Sequence, residues 1–390
     1  MGKLQHRVKK EMIRMKKICV ITTVHQAYDG RIYYKQSMSL AKAGYDVSLI
    51  APKPDREVND QGLVKLLPIE KPKKEWKRLL RSFSVIKTAK ETKADLYHFH
   101  DPELLIAGLI LRILTRKPVI FDAHEHYPNA IMSKKYLKKW LKTPIRVMYE
   151  LIERMILPFL SGVIYTTDEV GERYQKYTHC KIENYPLYEM FEQVSTNNKN
   201  GNTILYLGGI TPIRGIEQLI DAFSEVTKHH KSAQLIFVGS FESKSFEYKI
   251  NNKINSRGLT DKIEFIGKVP YTEIERYLSK ASIGIIPYLP VPNHLVCLPN
   301  KLFEYMAAGV TTIASDFPHY RKVVEGAGSG LLVNPEKPQS IADAIVSLLK
   351  DPKKCNEIGV NGRKSFEKIY NWNTEEKKLL VFYRTFLIND

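Results

Sequence analysis

Twelve short runs of apolar, mostly β-branched residues, each followed by a stretch of helical periodicity, govern how this 390-residue chain can fold. Strands that alternate with helices build βαβ units around parallel sheets. In the first half the runs are Ile18–Thr22, Val47–Ala51, Val64–Leu67, Leu96–Phe99, Val119–Phe121 and Val163–Tyr165. In the second they are Ile204–Leu207, Leu235–Val238, Ile263–Ile266, Ile283–Pro287, Thr311–Ala314 and Leu331–Val333. Six against six predicts two doubly wound α/β domains of similar design, and the length suffices for a core in each. Between them Ser195–Asn202 is polar, glycine-bearing and without periodicity, as a linker is. The expected organisation is a mobile basic leader over 1–14, a first domain over 15–190, a linker over 191–202, a second domain over 203–365 and a closing helical segment over 366–390 that packs back on the first domain.

Charge is concentrated rather than spread. Residues 1–17 hold seven Lys/Arg against Glu11, residues 71–90 eight against Glu75, and residues 134–146 six with no acid, which accounts for the whole net charge of +18. The latter two segments interleave those cations with Trp76, Leu79, Leu80, Phe83 and with Tyr136, Leu137, Trp140, Leu141 at roughly helical spacing. Basic residues beside Trp and Leu on a helix describe a segment lying in an anionic membrane surface. A solvated basic face is the plainer alternative, and no zinc-finger, RRM or KH signature supports nucleic acid. No apolar run reaches the ~20 residues of a membrane span. The four cysteines lie far apart with no Cys-x-x-Cys, which indicates neither a disulfide framework nor a zinc site. The resulting expectation is a cytoplasmic protein, peripheral at the inner face of the cell membrane.

Parallel sheets bind ligands beyond the carboxyl ends of their strands. In the first half that rule selects the loops holding His25, Asp29 and Arg31, then His98, His100 and Asp101, then His124, Glu125 and His126, and finally Thr166 to Asp168. Any one of these histidines is as readily a satisfied core group. His98 and His100, like His124 and His126, are read as pointing apart, and no acidic constellation joins them, so no metal site is expected. No Asp-x-Asp of the kind that holds a divalent ion on a nucleotide diphosphate is present. No Gly-x-Gly-x-x-Gly follows a strand either, which argues against a nicotinamide-dependent oxidoreductase.

In the second half two segments carry chemistry. Thr203–Phe223 reads as a strand, a loop with Gly208, Gly209 and Arg214, then an amphipathic helix. Pro299–Gly309 reads as a short helix with proline at its first position and glycine past its last. Its free N–H groups, its dipole and the Lys301 ammonium converge where an anion could sit. One turn deeper, Glu304 can accept hydrogen bonds from two vicinal hydroxyls such as those of a ribose. An exposed Lys301–Glu304 ion pair is the bland reading of the same spacing.

Taken together, Arg214-Gly215 and Glu304-Tyr-Met-Ala-Ala-Gly309 resemble the donor site of glycosyltransferase family 4, whose members are retaining nucleotide-sugar transferases of GT-B fold. The resemblance runs from Lys16 to the last helix. It implies two Rossmann-like domains facing across a cleft, a nucleotide diphosphate sugar as donor and no further cofactor. His124-Glu125 resembles the family's Asp-x-His-Glu element, in which the histidine meets the donor sugar near its reacting carbon. His124, Arg214 and Lys301 are thus the expected catalytic groups. Gly208, Gly209, Arg214, Gly239, Asn300, Lys301 and Glu304 form the expected nucleotide site. His25, Asp29, Arg31, His100, Asp101 and Glu125 form the expected acceptor side. Two positions depart from the family pattern: Gly209 replaces a frequent loop arginine, and Val296 replaces the first glutamate of Glu-x7-Glu. The expected reaction moves a hexosyl unit from a UDP- or GDP-linked donor to a lipid-linked or surface-polysaccharide acceptor, with retention. The alternatives are a GT-B nucleotide-sugar epimerase and a non-enzymatic membrane-surface protein with a degenerate donor site.

Overall fold

The computed structural model describes residues 15–54, 62–70, 77–133, 137–194 and 200–387. The basic leader, Trp76, Lys134, Lys135, Tyr136 and residues 195–199 of the expected linker lie outside them. Strands β1 (Lys17–Ile21), β2 (Asp46–Pro52), β3 (Val64–Ile69), β4 (Leu96–Phe99), β5 (Val119–Ala123), β6 (Gly162–Tyr165) and β7 (His179–Lys181) form one sheet in the order β3-β2-β1-β4-β5-β6-β7. Strands β8 (Asn200–Leu207), β9 (Gln234–Val238), β10 (Ile263–Gly267), β11 (Ala281–Ile286), β12 (Thr311–Ser315) and β13 (Gly330–Val333) form the other, in the order β10-β9-β8-β11-β12-β13. All twelve runs are strands. The thirteenth, β7, has three residues, too few and too polar for a periodicity to betray it. Strand β8 starts at Asn200, inside the stretch read as linker.

The same arrangement recurs in both sheets. The first strand pairs in parallel with the second and with the fourth, Ile18 opposite Val47 and Leu96, and β8 does likewise with β9 and β11, Ile204 opposite Leu235 and Ile283. Strand order therefore reverses direction between β1 and β4 and again between β8 and β11. Those reversal points leave a crevice at the carboxyl edge, because successive crossovers depart to opposite sides there.

By density of internal contact the chain divides into two compact units, Met1–Asp122 with Glu153–Val163 and Leu379–Asp390, and Ala123–Ile152 with Ile164–Lys378. In the first, the end of the last helix (Trp372–Leu387) supplies Tyr383, whose hydroxyl is hydrogen-bonded to His98 Nδ1 at 2.6 Å. Gly162 lets the Phe382 ring pack close, since a Cβ there would lie 2.7 Å from that ring. In the second, the Asn300–Ala307 helix is buried on every side, Lys301 and Glu304 included. Pro299 precedes that helix as its cap rather than opening it. The helix is pegged to the sheet by Tyr305, which donates to Leu205 O at 3.0 Å and accepts from Leu207 N at 3.1 Å. Tyr305→Phe strips both partners of a buried hydrogen bond and should lower unfolding stability by about 1–3 kcal/mol, measurable by urea denaturation.

Candidate active site

The reversal point of the second sheet gathers the candidate donor residues. Two tight approaches shape the backbone there. Gly215 has φ +70°, and a Cβ on it would lie 1.8 Å from Pro287 O. A Cβ on Gly239 would lie 2.0 Å from Gly208 O, so Gly239 serves by letting the β9 loop press against the Gly208 loop. Arg214 closes the single turn Pro212–Arg214 and donates from Nη1 to Gly209 O at 3.1 Å. The Tyr206 hydroxyl donates to the same carbonyl at 2.8 Å.

Lys301, in the first turn of its helix, reaches under this loop. Its Nζ stands 3.8 Å from the centroid of the Tyr206 ring and 5.0 Å from that of Tyr288, whose face also carries the Arg214 guanidinium at 5.3 Å. Ring faces attract cations, yet they do not replace hydrogen bonds, and Nζ is buried without a hydrogen-bond partner among the described residues. Burial, followed by the positive charge of Arg214, pulls its pKa well below the usual lysine value, against the opposing pull of Glu304. A side chain on Gly208 would begin 3.2 Å from Arg214 Nη1 and 3.4 Å from Lys301 Nζ. The missing Cβ thus keeps open the space that both cations border. Asn300 is exposed at the helix start, and Glu304 is buried one turn on. The exposed ion pair that the spacing alone allows is not what forms. A buried lysine and a half-buried arginine beside Gly208 suit an anion with several oxygens.

At the first sheet's reversal point the polar residues are mostly closed inward. Asp101 Oδ2 accepts from Thr22 Oγ1 at 2.8 Å, Thr23 N at 2.5 Å and Val24 N at 3.2 Å, fixing the loop after β1, while His25 Nε2 lies 3.5 Å from Oδ1. Asp29 caps the wide helical turn Gly30–Ser37 by accepting from Arg31 N and Ile32 N. Arg31 grips Asp122 through Nε at 3.1 Å and Nη2 at 2.9 Å, and Gln36 donates to the same carboxylate at 2.7 Å. Arg31, His100 and Asp101 are buried, whereas His25 and Asp29 are partly open. His124 is half-buried just past β5, its carbonyl accepting from Thr166 Oγ1 at 3.0 Å, and Glu125 is exposed.

One expectation fails here. His98 and His100 do not point apart: their rings lie 4.4 Å between centroids, because residues two apart in extended chain share a face. With Asp122 they bring three ligand-type atoms within 4.8 Å of one another. The Arg31 guanidinium and the Gln36 amide bind the same Asp122 carboxylate. The sequence reading also passed over Tyr206, Tyr288 and His294. The two tyrosines stand at or just past the carboxyl ends of the strands flanking the reversal, and that position alone was signal enough.

Comparison with known proteins agrees with this geometry. Residues 30–183 match the family model "Glycosyltransferase Family 4" and residues 189–365 the model "Glycosyl transferases group 1", together most of the chain. The chain belongs to the family 4, group 1 glycosyltransferases and has their GT-B fold. It is 26% identical over 186 residues to the phosphatidyl-myo-inositol mannosyltransferase of Mycobacterium leprae, 47% of each chain. The matched part is about half the length of such curated relatives. The sucrose-phosphate synthase of Thermosynechococcus elongatus superposes with a TM-score of 0.76 at 20% identity, over 96% of this chain and 100% of that one. Anabaena HepE, solved in complex with UDP and glucose, gives 0.72 at 16% identity over 95% and 100%.

Lys301→Met tests whether the buried ammonium is kept for a ligand. It removes an unpaired internal charge, so unfolding stability should stay equal or rise while affinity for UDP or GDP falls roughly tenfold to a hundredfold. The native pKa of Lys301 lies below the unfolded value of 10.5, so the unfolded chain binds the extra proton and native stability climbs with pH across that window. The methionine variant should lose this climb. Calorimetric titration and denaturant melts at several pH values read both effects.

Proposed function

We propose that this protein transfers a hexosyl unit from a nucleotide diphosphate sugar to a lipid-linked or surface-polysaccharide acceptor, with retention of anomeric configuration. The observation that carries the reading is the pair of cations beside Gly208, the buried Lys301 and the half-buried Arg214. A departing nucleoside diphosphate gains negative charge as the glycosidic bond breaks, and preorganised cations in a dry site stabilise that gain. Glu304, one helical turn beyond Lys301, suits the ribose hydroxyls. His124 is the group assigned to the neighbourhood of the reacting carbon. Names of related proteins support the substrate classes: HepE was solved with UDP and glucose, and the mycobacterial relative is named for a phosphatidyl-inositol acceptor. An epimerase would need no acceptor and no surface of the following kind.

That surface supports the lipid side. The helix Lys139–Ile156 exposes Trp140, Val147, Met148, Leu151 and Met155, which fall along one stripe at helical spacing, with Phe159 just beyond. Trp140 is 70% and Met155 64% exposed. Lys138, Lys139 and Arg154 are exposed beside the stripe. An apolar stripe rimmed by cations and led by tryptophan fits the headgroup boundary of an anionic bilayer. Among the described residues no helix is long and apolar enough to cross a membrane.

Incubation with UDP- and GDP-sugars, with and without a lipid acceptor, tests the reaction, and NMR of the product's anomeric coupling reads its stereochemistry. The expected product keeps the donor configuration; an inverted one would overturn the mechanism. On vesicles, replacement of Trp140, Leu151 and Met155 by serine should weaken binding by about tenfold per residue, the scale of a partly buried apolar side chain. Equal binding of the parent protein to neutral and anionic vesicles would refute the electrostatic share.

A further inference from the structure

We propose that His294 reads the transferred sugar, its Nε2 accepting a hydrogen bond from a hydroxyl of that sugar in the donor site. This rests on the reaction proposed above. The residues between β11 and the Asn300–Ala307 helix form a short coiled turn, with His294 N donating to Val291 O at 2.9 Å and Leu295 N to the same carbonyl at 3.2 Å. The turn sets the buried imidazole on the Tyr288 ring, centroids 4.5 Å apart and planes at 29°. This is the ring that bears the Arg214 and Lys301 cations, so His294 belongs to the same cluster.

The chemistry of its contacts decides what it can bind. Nδ1 lies 2.9 Å from Leu289 O. A carbonyl only accepts, so Nδ1 carries the proton and Nε2 of the neutral ring is left as an acceptor. No described residue satisfies Nε2. Burial, and then the nearby charges of Arg214 and Lys301, lower the pKa of the ring and keep it neutral. A lone pair repels phosphate oxygens, which belong to the cations, and attracts an O–H. The neutral, hydroxyl-bearing part of a nucleotide sugar is the part that offers one. Val296 stands two residues on, with no polar group in its side chain. The imidazole supplies an acceptor for a hydroxyl that the Val296 side chain does not. A site built around an acceptor of this kind discriminates strongly against a donor that lacks the matching hydroxyl.

The test uses the full chain with UDP, GDP, UDP-glucose and GDP-mannose as probes. His294→Phe keeps the stack on Tyr288 and removes both nitrogens; His294→Gln keeps an amide near the place of Nε2. The expected result is that the phenylalanine variant binds the nucleoside diphosphate within about twofold of the parent. Its preference for the sugar-bearing nucleotide over the bare one should fall by about tenfold, and kcat/KM with it, the worth of one hydrogen bond. The glutamine variant should recover part of that loss. Unchanged sugar preference in His294→Phe overturns the assignment while leaving the donor site standing. Equal loss of bare and sugar-bearing nucleotide in both variants also overturns it, by making His294 a structural support. Failure of the parent protein to bind any nucleoside diphosphate overturns the donor site itself, and this inference with it.

Discussion

The donor site proposed for this molecule depends on a single buried lysine. Lys301 is withdrawn from water, laid against two aromatic faces and given no hydrogen-bond acceptor among the described residues. A chain selected only for stability would put an apolar side chain there. The surrounding features all serve to keep that charge in place and accessible. Gly208 withholds a side chain, Gly215 and Gly239 let three loops press together, and Arg214 is braced against the Gly209 carbonyl. Tyr305 fixes the helix that carries the lysine to the end of β8.

The topology explains why these parts meet. Residues 208–215 and 287–301 are distant in sequence but leave the sheet from strands that neighbour each other at the reversal of strand order. Two crossovers diverge there, one residue set arrives from each, and the gap between them is a geometric remainder of winding a sheet in both directions. The aromatic hub at Tyr288 then gives one ring three tasks: it carries a guanidinium, an ammonium and an imidazole.

Much of this was readable in the sequence. Short runs such as Ile204–Leu207 are buried on both faces, so every residue in them is apolar and the strand announces itself. The loop that carries Arg214 and the short helix that carries Lys301 and Glu304 were legible because glycines and a proline punctuate them. Other features were hidden for physical reasons. His-Cys-Lys in β7 is too short to show a period. That Arg31 meets Asp122 across ninety-one residues is a fact of tertiary contact, which no local pattern encodes. His294 escaped because its role depends on a carbonyl five residues back choosing its tautomer. The error over His98 and His100 was one of period: residues two apart in extended chain lie on the same side.

The two sheets share a strand order, yet their reversal points differ in one respect that sets the chemistry of each. In the first, the amides of Thr23 and Val24 already converge on an anion, the carboxylate of Asp101. Folding itself has filled that nest with a covalently tethered charge at an effective concentration no free ligand can match. A phosphate arriving there would find its donors spent and a negative group in its place. The two amides of that loop are therefore engaged within the chain itself. The same winding thus ends, in one sheet, in a loop closed on its own aspartate, and in the other beside a buried lysine that has no hydrogen-bond partner among the described residues.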